Sequence, residues 1–197
     1  MARLHLVRHA RTADTGVRLT GRLPGVGLDA VGREEAETAA ALLAGTPLGT
    51  VYTSPLLRCR ETARIIAAPH RLDPIPYRSL IEVDYGAWSG RSLASLRRTR
   101  AWRAMEASPS RMRFPGGEAL SAVQARAVAA CEELAAAHHG AQIALVTHGD
   151  VIRTVIAYYL GSPLDLYERI AVDPASIATI DLGTPHPRVV TVNRGPG

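Results

Sequence analysis

Two arginines and two histidines stand just past runs of apolar residues: Arg8 and His9 after LHLV, Arg58 shortly after TVYT, and His148 after IALVT. A neutral imidazole can attack an electrophile or carry a proton. A guanidinium offers a planar fork of donors that fits phosphoryl and carboxylate oxygens. Each residue alone is more often a solvated or structural side chain than a functional one. Their shared position after strands is what carries information, because ligands of open α/β sheets bind outside the carboxyl ends of the strands, where helix N-termini also point. Two guanidiniums and two imidazoles gathered there would form a strongly positive pocket, and a phosphate dianion is its natural occupant.

Rival chemistries lack their residues. A zinc site on His9 and His148 would need a third ligand at a spacing such as HExxH, which is absent, so no metal is expected. His138-His139 closes a helix, where the dipole and solvent account for it. The P-loop pattern and serine hydrolase motifs are absent as well.

The elements that must position these groups alternate strand and helix. Residues 3–8 read as a strand, followed by a Gly-, Thr- and Pro-rich loop to about 28. Asp29 caps a helix over about 30–44, with Ala36, Ala39, Ala40 and Leu43 on its apolar face. Residues 50–53 read as a strand, and Ser54-Pro55 opens the next helix with Ser54 as N-cap. Helices near 90–106 and 118–138 follow. Ile143–Val146 suits a strand buried on both faces, residues 150–160 resume as helix, and strands near 176–182 and 188–192 finish the sheet. This order implies one domain over 1–197, an α/β fold with a three-layer α/β/α sandwich around a mainly parallel sheet, and a frayed tail at about 194–197.

Composition sets the outer limits. The chain has 197 residues, 47% hydrophobic and 21% charged, which is ordinary globular usage rather than disorder. No run of about 18 apolar residues supports a membrane span, and Arg8 and His9 interrupt the N-terminus before a signal-peptide core can form. Cys59 and Cys131 lack zinc or redox spacing and read as buried thiols in a reducing, cytoplasmic setting. The net charge of +5 rests on arginine alone, since the chain has no lysine. With only 5% aromatic residues and no aromatic-interleaved basic run, small anions fit this charge better than nucleic acid.

Several blocks carry a resemblance. Leu6–Thr12 (LVRHART) resembles the LVRHGET signature of the histidine phosphatase superfamily, the phosphoglycerate mutase-like proteins. Ser54–Ala63 (SPLLRCRETA) is similar to its second block, and Leu80–Gly90 (LIEVDYGAWSG) to its Leu-x-Glu-x-x-x-Gly-x-Trp-x-Gly block. Pro115-Gly116-Gly117-Glu118 and Val146-Thr147-His148-Gly149 match two more, all in family order. The resemblance implies a phosphoglycerate mutase-like fold and a metal-independent phosphomonoesterase that needs no cofactor. His9 would be the nucleophile forming a phosphohistidine, Arg8, Arg58 and His148 the phosphoryl-binding groups, and Glu82 the general acid. Arg11, Thr15, Gly21 and Gly149 would complete the substrate-binding set. The partner would be a small phosphomonoester, and a homodimer is admissible.

The acid role asks Glu82 to have a raised pKa, and Asp84 competes for it. Tyr85 and Trp88 read as core, Cys59 as helix interior, and Glu118 as a helix cap more than a pocket residue. The sequence departs from the family where the loop begins: Ala10 replaces Gly, Arg11 replaces Glu, and Thr15 replaces Asn. Arg11 is either a contact to a second anionic group or a solvated loop arginine. A phosphoglycerate-type mutase shares the same intermediate, but its members are generally longer. A phosphate-binding module without catalysis would have no need of both a nucleophile and an acid.

Overall fold

The computed structural model describes residues 2–195. Six strands form one sheet: β1 (Arg3–Arg8), β2 (Leu48–Thr53), β3 (Ile75–Pro76), β4 (Gln142–Thr147), β5 (Ile177–Asp181) and β6 (Arg188–Arg194). Their order is β3-β2-β4-β1-β5-β6. The pairs β2–β3, β2–β4 and β1–β4 are parallel, whereas β1–β5 and β5–β6 are antiparallel. The parallel strands are central and apolar, as double-sided burial demands.

Alternation along the strands sends side chains to two separate cores. Leu4, Leu6, Ile143 and Leu145 pack with helices α5 (Leu120–Ala137) and α6 (Gly149–Tyr159) on one face. Val7, Val51, Ala144 and Val146 pack with α1 (Ala30–Leu43) and α2 (Leu57–Ala67) on the other. The result is helix, sheet, helix, and β1, β2 and β4 all release their carboxyl ends on the same edge. Asp29 caps α1 as its sequence predicts, accepting from the Gly32 N–H at 2.7 Å.

Four local expectations change. Ser54 is not the cap of α2, which starts at Leu57 with Leu56 as N-cap. The helix near 90–106 is two pieces, Leu93–Leu96 (α3) and Arg100–Ala107 (α4), because Thr99 starts a new helix by accepting from the Trp102 N–H at 3.1 Å. Glu118 lies ahead of α5, whose N-cap is Ala119, and makes other contacts described below. Arg194, assigned to a frayed tail, still pairs with Ile177 in β6; residues 196 and 197 of that tail lie outside the described residues.

Candidate active site

His9 sits one residue past β1. Its backbone N–H donates to the Thr147 carbonyl at 2.9 Å, tying it to the end of β4. Its Nδ1 lies 2.9 Å from the Ala10 carbonyl. A carbonyl only accepts, so Nδ1 carries the hydrogen and Nε2 keeps its lone pair. Arg58 Nε donates to that lone pair at 3.1 Å. Burial first, and then the charges of Arg58 and Arg8, hold this imidazole well below its ordinary pKa. The ring is therefore neutral near pH 7, with Nε2 turned to the arginines.

Arg58 is 2% exposed, in the first turn of α2. Its Nη2 donates to the Gly21 carbonyl at 2.8 Å and to His148 Nδ1 at 3.2 Å. Arg8 donates from Nη1 to the Val172 carbonyl at 2.7 Å. That leaves Arg58 Nη1 and Arg8 Nε buried with no hydrogen-bond partner among the described residues. Charged donors left so are costly unless an anion takes them. Gly149 makes room for Arg8: a Cβ there would stand 3.3 Å from its Nε. Gly149 also opens α6, whose free N–H groups add positive potential to the same spot.

His148, the N-cap residue of α6, is fully buried and does not itself line the cleft. Its Nε2 is 2.8 Å from Ser54 Oγ. Because Arg58 can only donate to Nδ1, Nε2 carries the hydrogen and gives it to Ser54. The serine expected to cap a helix thus orients a histidine instead. Burial and Arg58 hold this imidazole well below its ordinary pKa too. Cys59, 3.5 Å from the same Nε2, is a buried thiol pushed up to about 12 by burial, so it is inert.

Glu82 is 7% exposed and lines the cleft. Its Oε1 accepts from the Val83 N–H at 2.9 Å, and its Oε2 lies 3.5 Å from His148 Nδ1. Burial and the nearby Asp150 carboxylate raise its pKa to about 7, against the opposing pull of Arg58. Asp84 is turned away: its carboxylate accepts from the Gly86 N–H and meets Arg22 at 3.5 Å. The structure thus brings Glu82, not Asp84, to His9 and the arginines.

A clamp that the sequence does not announce holds the Glu82 backbone. Arg22 Nε and Arg126 Nη2 both donate to the Glu82 carbonyl, at 2.9 and 3.1 Å. Glu118 joins them by accepting from Arg22 at 2.8 Å, from Arg126 Nε at 3.1 Å and from the Asp84 N–H at 3.0 Å. Behind the clamp, Gly86 and Gly117 bring two chain segments together so closely that a Cβ on either would collide with backbone of the other segment. This is the physical reason for Gly86 in the GAW block and Gly117 in the PGGE block; Gly116 has open space around it and instead takes a φ of +71°.

The cleft that opens over these groups measures about 390 Å³. Thr15 and Gly21 line it. Thr15 Oγ1 accepts from the Thr12 N–H at 2.9 Å and shapes the loop. Arg11 is exposed and does not line the cleft; its backbone is what the fold uses, with its N–H donating to Glu35 at 2.8 Å. Asp150, Arg153 and Glu168 form one wall, with Tyr85 Oη donating to Asp150 at 2.6 Å. Among the described residues no group of three His, Cys, Asp or Glu side chains could hold a metal ion. No helix among them is long and apolar enough to cross a membrane.

A neutral imidazole beside two guanidiniums that each keep an unpartnered nitrogen, at the carboxyl ends of the parallel strands of a doubly covered sheet, defines an α/β protein with a preformed anion pocket. The model of the histidine phosphatase superfamily (branch 1) matches residues 4–195, and the chain belongs to that family. Phosphoserine phosphatase 1 of Hydrogenobacter thermophilus is 30% identical over 187 residues, 92% of this chain and 87% of the relative. Phosphoglycerate mutase-like protein 4 of Arabidopsis thaliana is 34% identical over 160 residues, covering 78% and 69%. Among solved structures, Bacillus stearothermophilus YhfR superposes with a TM-score of 0.91 at 27% identity, over 100% of this chain and 98% of that one.

Proposed function

We propose that the protein hydrolyses small phosphomonoesters through a phosphohistidine at His9. The observation that carries this reading is the pair of buried, unpartnered donors, Arg58 Nη1 and Arg8 Nε, beside an imidazole whose Nε2 bears a lone pair. As a phosphoryl group settles on those donors, Arg58 Nε gives up Nε2 and the lone pair attacks phosphorus. The P–O bond to the leaving group breaks, and Glu82 transfers its proton to the departing oxygen. Water then attacks the phosphohistidine, Glu82 takes back a proton, the P–N bond breaks, and inorganic phosphate leaves with His9 neutral again. Fixed positive groups stabilise the charge spread over the equatorial oxygens in both steps. His148, behind Arg58 and Glu82, holds both in place and supports the phosphoryl site from there. The two free, buried cysteines agree with a cytoplasmic setting.

The test is phosphate release from p-nitrophenyl phosphate and a panel of phosphorylated metabolites, with EDTA present and His9→Ala in parallel. EDTA-resistant release that the substitution abolishes, with an acid-labile phosphoenzyme in the parent protein, is the expected result. Release that survives His9→Ala overturns the nucleophile. Phosphate transfer to a second substrate hydroxyl without release would make the protein a mutase.

A further inference from the structure

The cleft is far larger than a phosphoryl group, and its outer wall has a distinct chemistry. The chain is poor in aromatic residues, yet both of its tryptophans and its single phenylalanine gather in one place. Trp102 stacks on Trp88 with centroids 5.7 Å apart and planes 24° from parallel. Trp88 meets Phe114 edge-on at 5.5 Å, and Phe114 meets Tyr85 edge-on at 4.9 Å. Tyr85, Trp88 and Phe114 are all buried, Tyr85 reaching the cleft with only 4% of its surface, whereas Trp102 at the other end of the series is half-buried and lines the cleft.

Both ends are fixed before any ligand arrives. Tyr85 is anchored through its hydroxyl to Asp150, and Trp102 through its indole N–H to Glu106 at 2.7 Å. Leu19 and Leu93 line the same cleft. Leu93 is half-buried, so part of its apolar surface stays accessible there. Tyr85 follows Glu82 by three residues, so this wall begins beside the acid that would protonate the leaving oxygen.

We infer that the leaving group carries a flat apolar ring, aromatic or heteroaromatic, within a few bonds of the phosphoryl oxygen, and that Trp102 receives it beside the edge of Tyr85. This rests on the phosphatase reading above and narrows its substrate class. Rigid aromatic side chains lose little entropy on binding a ring and favour stacked or edge-on geometry over contact with a hydrated polyol. A small polar leaving group such as serine or glycerol would leave the wall bare.

The experiment compares esters whose alcohols have similar acidity, so that only the shape and polarity of the leaving group vary: 2-phenylethyl phosphate, glycerol 1-phosphate and O-phosphoserine. The expected kcat/KM for the phenylethyl ester exceeds the other two by about ten-fold or more. Trp102→Ala should lower kcat/KM for the phenylethyl ester about ten-fold more than for glycerol 1-phosphate, and Trp102→Phe should restore most of the difference. Equal or better turnover of the two polar esters overturns the inference, as does an equal loss on all three esters in Trp102→Ala. His9-dependent release from p-nitrophenyl phosphate in the same preparation shows that such a failure belongs to the ring and not to the phosphatase reading. No His9-dependent release from any ester overturns both.

Discussion

Replacing Glu82 by Gln tests the acid with little change of shape. The amide oxygen can still accept from the Val83 N–H, as Oε1 does now at 2.9 Å, and the amide nitrogen can donate to His148 Nδ1 where Oε2 lies at 3.5 Å. Only the transferable proton is lost. An alkoxide leaves poorly without one, and a positioned general acid is worth roughly 10² to 10⁴ in rate. The loss of kcat/KM on an alkyl phosphate should fall in that range, whereas p-nitrophenolate needs no proton and its ester should lose about ten-fold at most. The acid must be protonated to act. With its pKa raised to about 7, kcat/KM for the alkyl ester should fall above pH 7 in the parent enzyme. That limb should vanish in Glu82→Gln. Equal losses on both esters, or an alkaline limb unchanged by the substitution, would falsify the acid role.

The same substitution has a stability consequence of defined sign. A carboxyl whose pKa rises from 4.5 to about 7 on folding binds its proton more tightly in the folded state. Its contribution is fully present below 4.5 and is lost as pH rises through 7. At 1.36 kcal/mol per pH unit, the difference is about 3 kcal/mol. Glu82→Gln should therefore raise the melting temperature relative to the parent at pH 8.5 more than at pH 4.5, as thermal denaturation followed by circular dichroism would show. Arg126→Ala removes one of two donors to the Glu82 carbonyl and a bond to Ser79, and leaves Glu118 short of a partner. It should cost about 1–3 kcal/mol in urea unfolding and slow alkyl esters more than p-nitrophenyl phosphate. Gly149→Ala places a methyl 3.3 Å from Arg8 Nε, so the guanidinium must retreat; inhibition by inorganic phosphate should weaken about ten-fold while the melting temperature stays close to the parent's.

Much of the molecule is legible in the sequence because the relevant signals are local. The apolar run at 143–146 is long enough to name a central strand, and Asp29 before an alanine-rich stretch names a cap. Four members of the proposed set, Arg8, His9, Arg58 and His148, are legible for a different reason: they lie at or shortly after strand ends, where topology brings them together, whereas Glu82 lies in a loop and is marked only by the family block. What the sequence hides depends on partners far along the chain. Ser54 looks like a cap until His148, one residue past β4, is seen to claim its hydroxyl. Arg22 and Arg126 are two arginines among many, and nothing local marks them as the pair that holds Glu82. Strand β3 has two residues, one a proline, and exists because β2 offers it an edge.

The site also shows how one physical cause can set two opposite protonation states. Burial disfavours charge on any group, so it drives an imidazole to lose its proton and a carboxyl to keep one. In this cleft that moves His9 well below its ordinary pKa and Glu82 up to about 7. In the proposed mechanism the first change frees the attacking lone pair and the second keeps the acid loaded. Arginine is the one strongly basic side chain that stays charged under the same burial, which is why Arg8 and Arg58 can supply the positive field that a phosphoryl group needs. Lysine at position 58 would be drawn toward the neutral amine by the same desolvation, and it would lose the fork that reaches His9, Gly21 and His148 together. The burial of these side chains and the choice of arginine are thus two parts of one arrangement: burial sets the protonation states that the proposed nucleophile and acid require, and a guanidinium tolerates that burial while keeping its charge.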